Sequence, residues 1–213
     1  CDPYTQYYDI QIGKSFLMFL QACNVNINVI FYKHSIRALI SNGLLDDAQK
    51  AIRKMTSQLK SVTKSNFITG IEVSEVLTWQ DDAKGLASSI QLPKVLLFEE
   101  LILELNKLDL LPEMSYLDSK VWVYTHCHQK ALTSISILKQ AFSLIPGIDT
   151  EILDVGCCGM AGDFGYKHPE LSIKIAHQSF DKVMKNIQNT DMVVATGTSC
   201  RSQLSNVFQN NSI

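Results

Sequence analysis

Apolar residues recur along this chain with two alternating periods. Residues 13–23 place Phe16, Leu17, Leu20 and Cys23 three or four apart, the spacing of one helix face. The next run, 27–32, is β-branched and aromatic and predicts a strand. Leu44, Ala48, Ile52, Met55 and Leu59 return to helical spacing. Residues 66–72 predict a short strand, and 74–86 a helix that Ser74 would cap. Residues 94–108 predict one strongly apolar helix, and 111–119 is the best linker candidate.

The second half repeats the plan. Strands are predicted over 121–127, 151–156 and 191–197. Between them, Leu132, Ile135, Leu138 and Phe142 mark one helix within 129–145, and Ala176, Phe180, Val183 and Ile187 mark another within 169–187. A last helix starts near Ser199. Strands alternating with helices predict parallel pairing through crossover helices. Laid side by side, residues 2–8 answer 125–130, 33–39 answer 156–162, and 70–76 answer 197–203. The expected fold is α/β: two similar lobes with parallel sheets flanked by helices, related by an internal repeat. The first lobe spans 1–112 and the second 113–213, and the first strand of the first lobe would lie before residue 1.

Composition narrows the class. The 213 residues are 46% hydrophobic and 19% charged, which suits a packed core. A net charge of −2 offers nothing to attract nucleic acid or an anionic membrane surface. No apolar run approaches the roughly 18 residues of a membrane span. The first residue is Cys1 and no signal-peptide pattern follows, so a piece of a longer protein in a reducing compartment is expected. Six irregularly spaced cysteines favour metal or redox chemistry over a secreted disulfide framework.

Four of those cysteines, Cys127, Cys157, Cys158 and Cys200, fall at the ends of predicted strands or in the loops just after them. In a parallel sheet such ends share one edge, so the four thiols can converge. Thiolates bind iron–sulfur clusters and zinc alike. Adjacent cysteines project differently and suit two irons of one cluster better than a single tetrahedral ion. A core role for all four, or a strained disulfide between Cys157 and Cys158, are the competing readings. Cys1 and Cys23 fall outside the pattern and are expected to be packing residues.

Around the thiols, Gly156, Gly159, Gly162 and Gly165 recur every third residue and bare the backbone. N–H groups beside Gly156, Gly159 and Gly197 would donate to sulfur. His126 and His128 flank Cys127 as ligands, as donors to sulfur, or as helix caps. Arg201, beside Cys200, would offset thiolate charge. His168 and His177 are expected at the surface or in packing. The glycine loop lacks the Lys-Ser/Thr of a P-loop and the pattern of a dinucleotide fold.

The motifs H-C-H-Q-K-A-L (126–132), G-C-C-G-M-A-G-D-F-G-Y (156–166) and A-T-G-T-S-C-R-S-Q (195–203) resemble the CCG, or cysteine-rich, domain family. That family occurs in heterodisulfide reductases, in glycolate oxidase iron–sulfur subunits, and at the C-terminus of proteins fusing an FAD-linked oxidase to an iron–sulfur module. The resemblance implies an electron-transfer module of a 2-hydroxyacid dehydrogenase of the D-2-hydroxyglutarate, D-lactate or glycolate type. It implies Cys127, Cys157, Cys158 and Cys200 as ligands of an iron–sulfur cluster, most simply 4Fe-4S. It places FAD in an upstream domain outside this chain. FAD-binding and ferredoxin-like domains are the implied partners, and the cytoplasm, or the periphery of the inner membrane, the implied location. The parent protein would be an FAD-dependent oxidoreductase, with no catalytic residue expected here. Where the family often ends in C-x-x-C, this chain has Gly197; where the first lobe can carry Cys-Cys-Gly and a further thiol, it has His34-Ser35-Ile36 and Glu75. One cluster at most is expected. The alternatives are a zinc-bound or metal-free docking domain, or a thiol–disulfide protein.

Overall fold

The computed structural model describes residues 1–62, 67–87 and 91–208. The chain forms two compact units, Cys1–Glu113 and Met114–Ile213. Each is α/β and carries its own small parallel sheet.

In the second unit the order is β1 (Ser119–Tyr124), α1 (Cys127–Leu132), α2 (Ile135–Ser143), β2 (Ile148–Ile152), α3 (Phe164–Lys167), α4 (Pro169–Met184), β3 (Met192–Ala195) and α5 (Thr198–Phe208). The sheet order is β2-β1-β3, and both ladders are parallel. Val121, Val123 and Tyr124 on central β1 are at most 1% exposed, as expected of a strand covered on both faces. Phe180 of α4 and Leu204 of α5 pack on it, both fully buried, and the Phe180 ring meets Tyr124 edge-on at 4.8 Å. Trp122 donates through Nε1 to Asp191 at 2.8 Å, which ties β1 to the start of β3.

The pattern over 129–145 is two helices rather than one. Ser134 interrupts it and caps α2 by accepting from the Ser136 N–H at 3.3 Å. The strand predicted at 151–156 begins earlier, at Ile148, because β2 pairs from Ile148 against Ser119; beyond Ile152 one bond, Leu153 N–H to Val123 O, continues it.

The first unit runs α6 (Pro3–Tyr7), α7 (Ile10–Ala22), α8 (Ile36–Ser41), α9 (Leu45–Val62), β4 (Phe67–Thr69), α10 (Val73–Gln80), α11 (Asp82–Leu86), β5 (Lys94–Leu96) and α12 (Phe98–Lys107). From α6 to α10 this is the order seen from α1 to α5, with one exception. Residues 27–32, which answer β2, pair with no strand among the described residues. Ile30 and Tyr32 pack beside Ile36 and Ile52, and the Tyr32 carbonyl accepts from Gln6 at 3.1 Å. Strand-like composition reports fit to a half-buried surface, which these residues meet without a ladder.

Three other expectations change here. The apolar run 94–108 splits, since Lys94–Leu96 pairs in parallel with Phe67–Thr69 and the helix starts only at Phe98. The Glu100 carboxylate accepts from the Leu97 N–H at 2.8 Å and sets that start. The helix over 74–86 is broken at Asp81, and Glu72, not Ser74, caps it. Residues 2–8, which answer 125–130, hold a short helix, Pro3–Tyr7, capped by Asp2. The strand predicted from residue 66 begins, within the described residues, at Phe67.

Candidate metal centre

The three strand–helix junctions of the second unit carry the four thiols. Cys127 is the first residue of α1, Cys157 and Cys158 lie in the loop after β2, and Cys200 is the third residue of α5. β1, β2 and β3 are parallel neighbours, so their C-terminal ends meet at one edge. The thiols form a chain of contacts. Cys127 meets Cys157, Cys157 meets Cys158, and the Cys158 and Cys200 sulfurs lie 3.7 Å apart. The last two are buried, Cys157 is half-buried and Cys127 is exposed. All four are free thiols, Cys157 and Cys158 included.

Charge is distributed unevenly along this chain. Hydrogen bonds from Cys127 and Cys158 hold the Cys157 thiol far below its ordinary range, helped by the Gly159 N–H at 3.3 Å and by nearby His126. Cys158 is pushed up by its bonds to Cys157 and Cys200 and by burial. Cys127 is pushed up chiefly by its bond to Cys157 and by burial. Cys157 is therefore the most acidic thiol of the group.

The loop around the thiols is held from several sides. Gly159 has φ 93°, Ala161 φ 41° and Gly162 φ 68°, so the chain turns left-handed directly after Cys158. The Gly156 carbonyl accepts from the Tyr124 hydroxyl at 2.9 Å, and the Val155 carbonyl from Lys130 at 2.8 Å. A side chain at Gly156 would press on the Ser179 hydroxyl of α4. His126 caps α1: its Nδ1 accepts from the His128 N–H at 3.2 Å, which in the neutral ring leaves the proton on Nε2. Gly197 lies against this imidazole. A Cβ there would come 2.5 Å from His126 Cδ2. Gly197→Ala is therefore expected to displace the ring, loosen the cap and cost about 1–2 kcal/mol. Thermal unfolding and the His126 ring NMR shifts check this; unchanged ring shifts would contradict the contact.

The four donors are all thiols, the ligand type of zinc and iron–sulfur sites alike. Among the described residues no three His, Cys, Asp or Glu side chains gather around one ion position. Thr125, immediately before His126, has a buried hydroxyl without a hydrogen-bond partner, a donor at this same sheet edge.

The chain is similar to parts of known dehydrogenases. It is 28% identical over 211 residues to D-2-hydroxyglutarate dehydrogenase of Escherichia coli (strain K12), a match covering 97% of this chain and 20% of that protein. It is 26% identical to the same enzyme of Haemophilus influenzae, over 95% of this chain and 21% of the relative. One subunit of the anaerobic glycerol-3-phosphate dehydrogenase of E. coli K12 is 26% identical over 214 residues, 94% of this chain and 52% of that protein. The chain thus spans about a fifth of the first relatives and about half of the last. No family model and no solved structure matches.

Of the residues expected around the thiols, Gly156, Gly159, Gly197 and His126 lie in the loops just described. His128 follows Cys127 on α1. Arg201 donates to the Ala195 carbonyl at 2.8 Å and to the Thr198 hydroxyl at 3.1 Å, tying the end of β3 to the start of α5. Cys23 is 2% exposed beside Leu20, Leu96 and Leu101, and burial raises its thiol. His168 joins α3 to α4 with its ring 4.9 Å from Phe164, and His177 pairs with Asp181 at 2.9 Å on the surface.

Sequence reasoning missed one support. Thr196 donates to the buried Gln129 at 2.8 Å and accepts from the His126 N–H at 2.9 Å, joining two of the thiol-bearing junctions. A polar residue on the inner face of α1 is the only sequence signal for it. No helix among the described residues is long and apolar enough to cross a membrane.

Proposed function

We propose that this chain is the iron–sulfur electron-transfer module of a flavin-linked 2-hydroxyacid dehydrogenase. The observation that carries this is the gathering of four thiols, Cys127, Cys157, Cys158 and Cys200, at three junctions of one parallel sheet, with the Cys158 and Cys200 sulfurs 3.7 Å apart. The dehydrogenase relatives support a part of a dehydrogenase, and the D-2-hydroxyglutarate dehydrogenases among them favour the 2-hydroxyacid reading. Cys127, Cys157, Cys158 and Cys200 would be the ligands, and a cluster bound there supplies one-electron transfer.

The protein's own residues prepare that site. The thiols around Cys157 lower its pKa, which favours the thiolate that a metal binds. The Gly159 N–H stabilises that sulfur, and the Nε2–H of His126 is a second donor at the same edge. Tyr124 and Lys130 hold the loop that presents both central thiols. The exposed Cys127 side is the route by which electrons would enter or leave. FAD-binding and ferredoxin-like domains are the proposed partners, and the cytoplasm or the inner face of a membrane the proposed location. The substrate would be a D-2-hydroxyacid bound in the flavin domain.

Zinc is the second reading. The 3.7 Å between Cys158 and Cys200 suits two thiolates on one tetrahedral ion, for which Zn–S of about 2.3 Å implies roughly 3.8 Å. Among the described residues no three His, Cys, Asp or Glu side chains gather around one ion position, so further ligands would have to close on that pair.

Iron, sulfide and zinc content with a visible spectrum, on protein prepared without oxygen, tests the proposal. About four iron and four sulfide per chain are expected, lost when Cys157 and Cys158 are both changed to Ser. One zinc per chain would make the site a structural clamp. No metal after anaerobic reconstitution would leave a docking or thiol-redox domain.

A further inference from the structure

The first unit holds a polar pocket at the place where the second holds its thiols. Cys200 is the third residue of α5 and meets Cys158. Glu75 is the third residue of α10, and it meets Ser35, the residue that answers Cys158 in the repeat. Counting from the helix starts shifts the sequence correspondence by two residues and pairs Glu75 with Cys200. A hydroxyl and a carboxyl thus stand where the other unit has two thiols.

Glu75 is 2% exposed. One carboxyl oxygen is bonded to the Ser35 hydroxyl and the other accepts from the Tyr32 hydroxyl at 3.1 Å. Ser35 also accepts from the Ala38 N–H at 2.9 Å, and the Tyr4 hydroxyl is bonded to it as well. Two further buried carboxyls face the pocket. Asp2 accepts from the Thr5 N–H and hydroxyl, and Glu72 from the Ser74 N–H and hydroxyl.

We propose that the first unit uses this pocket as a one-proton site, the Glu75 carboxyl binding and releasing a proton between Ser35 and Tyr32. The hydroxyls allow both states. With Glu75 ionised, Ser35 and Tyr32 donate to it. With Glu75 protonated, its O–H donates to Ser35, whose own proton turns to Tyr4. Both tyrosines stay protonated, since burial raises each of them. Burial pushes Glu75 up to about 7 from its ordinary 4.5; the Ser35 and Tyr32 bonds oppose this, and the charges of Asp2 and Glu72 add to it. The Ser35–Glu75 bond joins the cap of α8 to α10, so the proton decides how firmly these helices are held.

The folded chain therefore keeps a proton that the unfolded chain gives up above about 4.5. This contribution to stability is complete below that pH and is lost as pH rises through about 7. The test is urea unfolding of the full chain, followed through amide NMR signals of α8 and α10, at pH 5 and pH 8, for wild type and Glu75→Gln. The wild-type folding constant is expected to fall by about tenfold or more over this range relative to Glu75→Gln. Carbon-13 NMR of the glutamate carboxyls gives a second reading, one resonance titrating near neutrality that Glu75→Gln lacks. Equal pH dependence in the two proteins, or titration of Glu75 in the ordinary carboxyl range, would overturn the proposal. If Glu75→Gln does not fold, the wild-type carboxyl titration decides it alone.

Discussion

Gly159→Ala should destabilise the second unit by about 3 kcal/mol or more. Two costs combine. Gly159 has φ 93°, which an alanine adopts only with strain. The added Cβ would also overlap the Ser172 carbonyl oxygen and approach its C and Cα at 3.0 and 3.2 Å. These are backbone atoms of α4, which cannot swing aside as a side chain would. Relief requires the loop to lift from the helix, and the loop carries Cys157 and Cys158. The same movement would pull the Gly159 N–H away from the Cys157 sulfur, now 3.3 Å distant. Urea unfolding measures the first effect, and the pH dependence of Cys157 alkylation the second. A loss below about 1 kcal/mol would show that the loop is not pinned against α4 as described.

Phe180→Ala is expected to cost about 3–5 kcal/mol. Phe180 is fully buried, with Tyr124 edge-on at 4.8 Å and Phe208 at 6.0 Å. Removing the ring leaves a cavity between β1, α4 and α5. The effect should reach the thiols, because Tyr124 also holds the Gly156 carbonyl at 2.9 Å. Tyr166→Ala is the natural control: that ring is 72% exposed, and its loss should change stability by no more than about 0.5 kcal/mol. Denaturant unfolding of both variants checks the contrast. A small cost at Phe180 would mean that the second unit closes over the gap.

The alternation of strand and helix periods was readable over most of the second half. Val121, Trp122, Val123 and Tyr124 put buried nonpolar side chains on both faces of β1, the mark of a covered parallel sheet. The four cysteines were readable as one group because strand ends in such a sheet share an edge. Boundaries were less legible. Lys94–Leu96 is a strand inside a helix-like apolar run, because a run of that length carries no period of its own until a partner, here Phe67–Thr69, selects it. Residues 27–32 have strand composition and no ladder, because pairing depends on a neighbour that propensity does not report.

Local pattern was thus enough for the α/β class, the repeated order of elements, and the placement of four thiols at one sheet edge. Periodicity and spacing are local properties, and they survive without knowledge of contacts. Tertiary structure alone decided the rest. It lowered the pKa of the Cys157 thiol through the neighbouring thiols and an N–H on its sulfur. It put the His126 ring against Gly197, and it paired Glu75 rather than a nearer residue with Ser35. Each of these depends on burial and on partners distant in the chain, and those exist only once the helices and strands have packed.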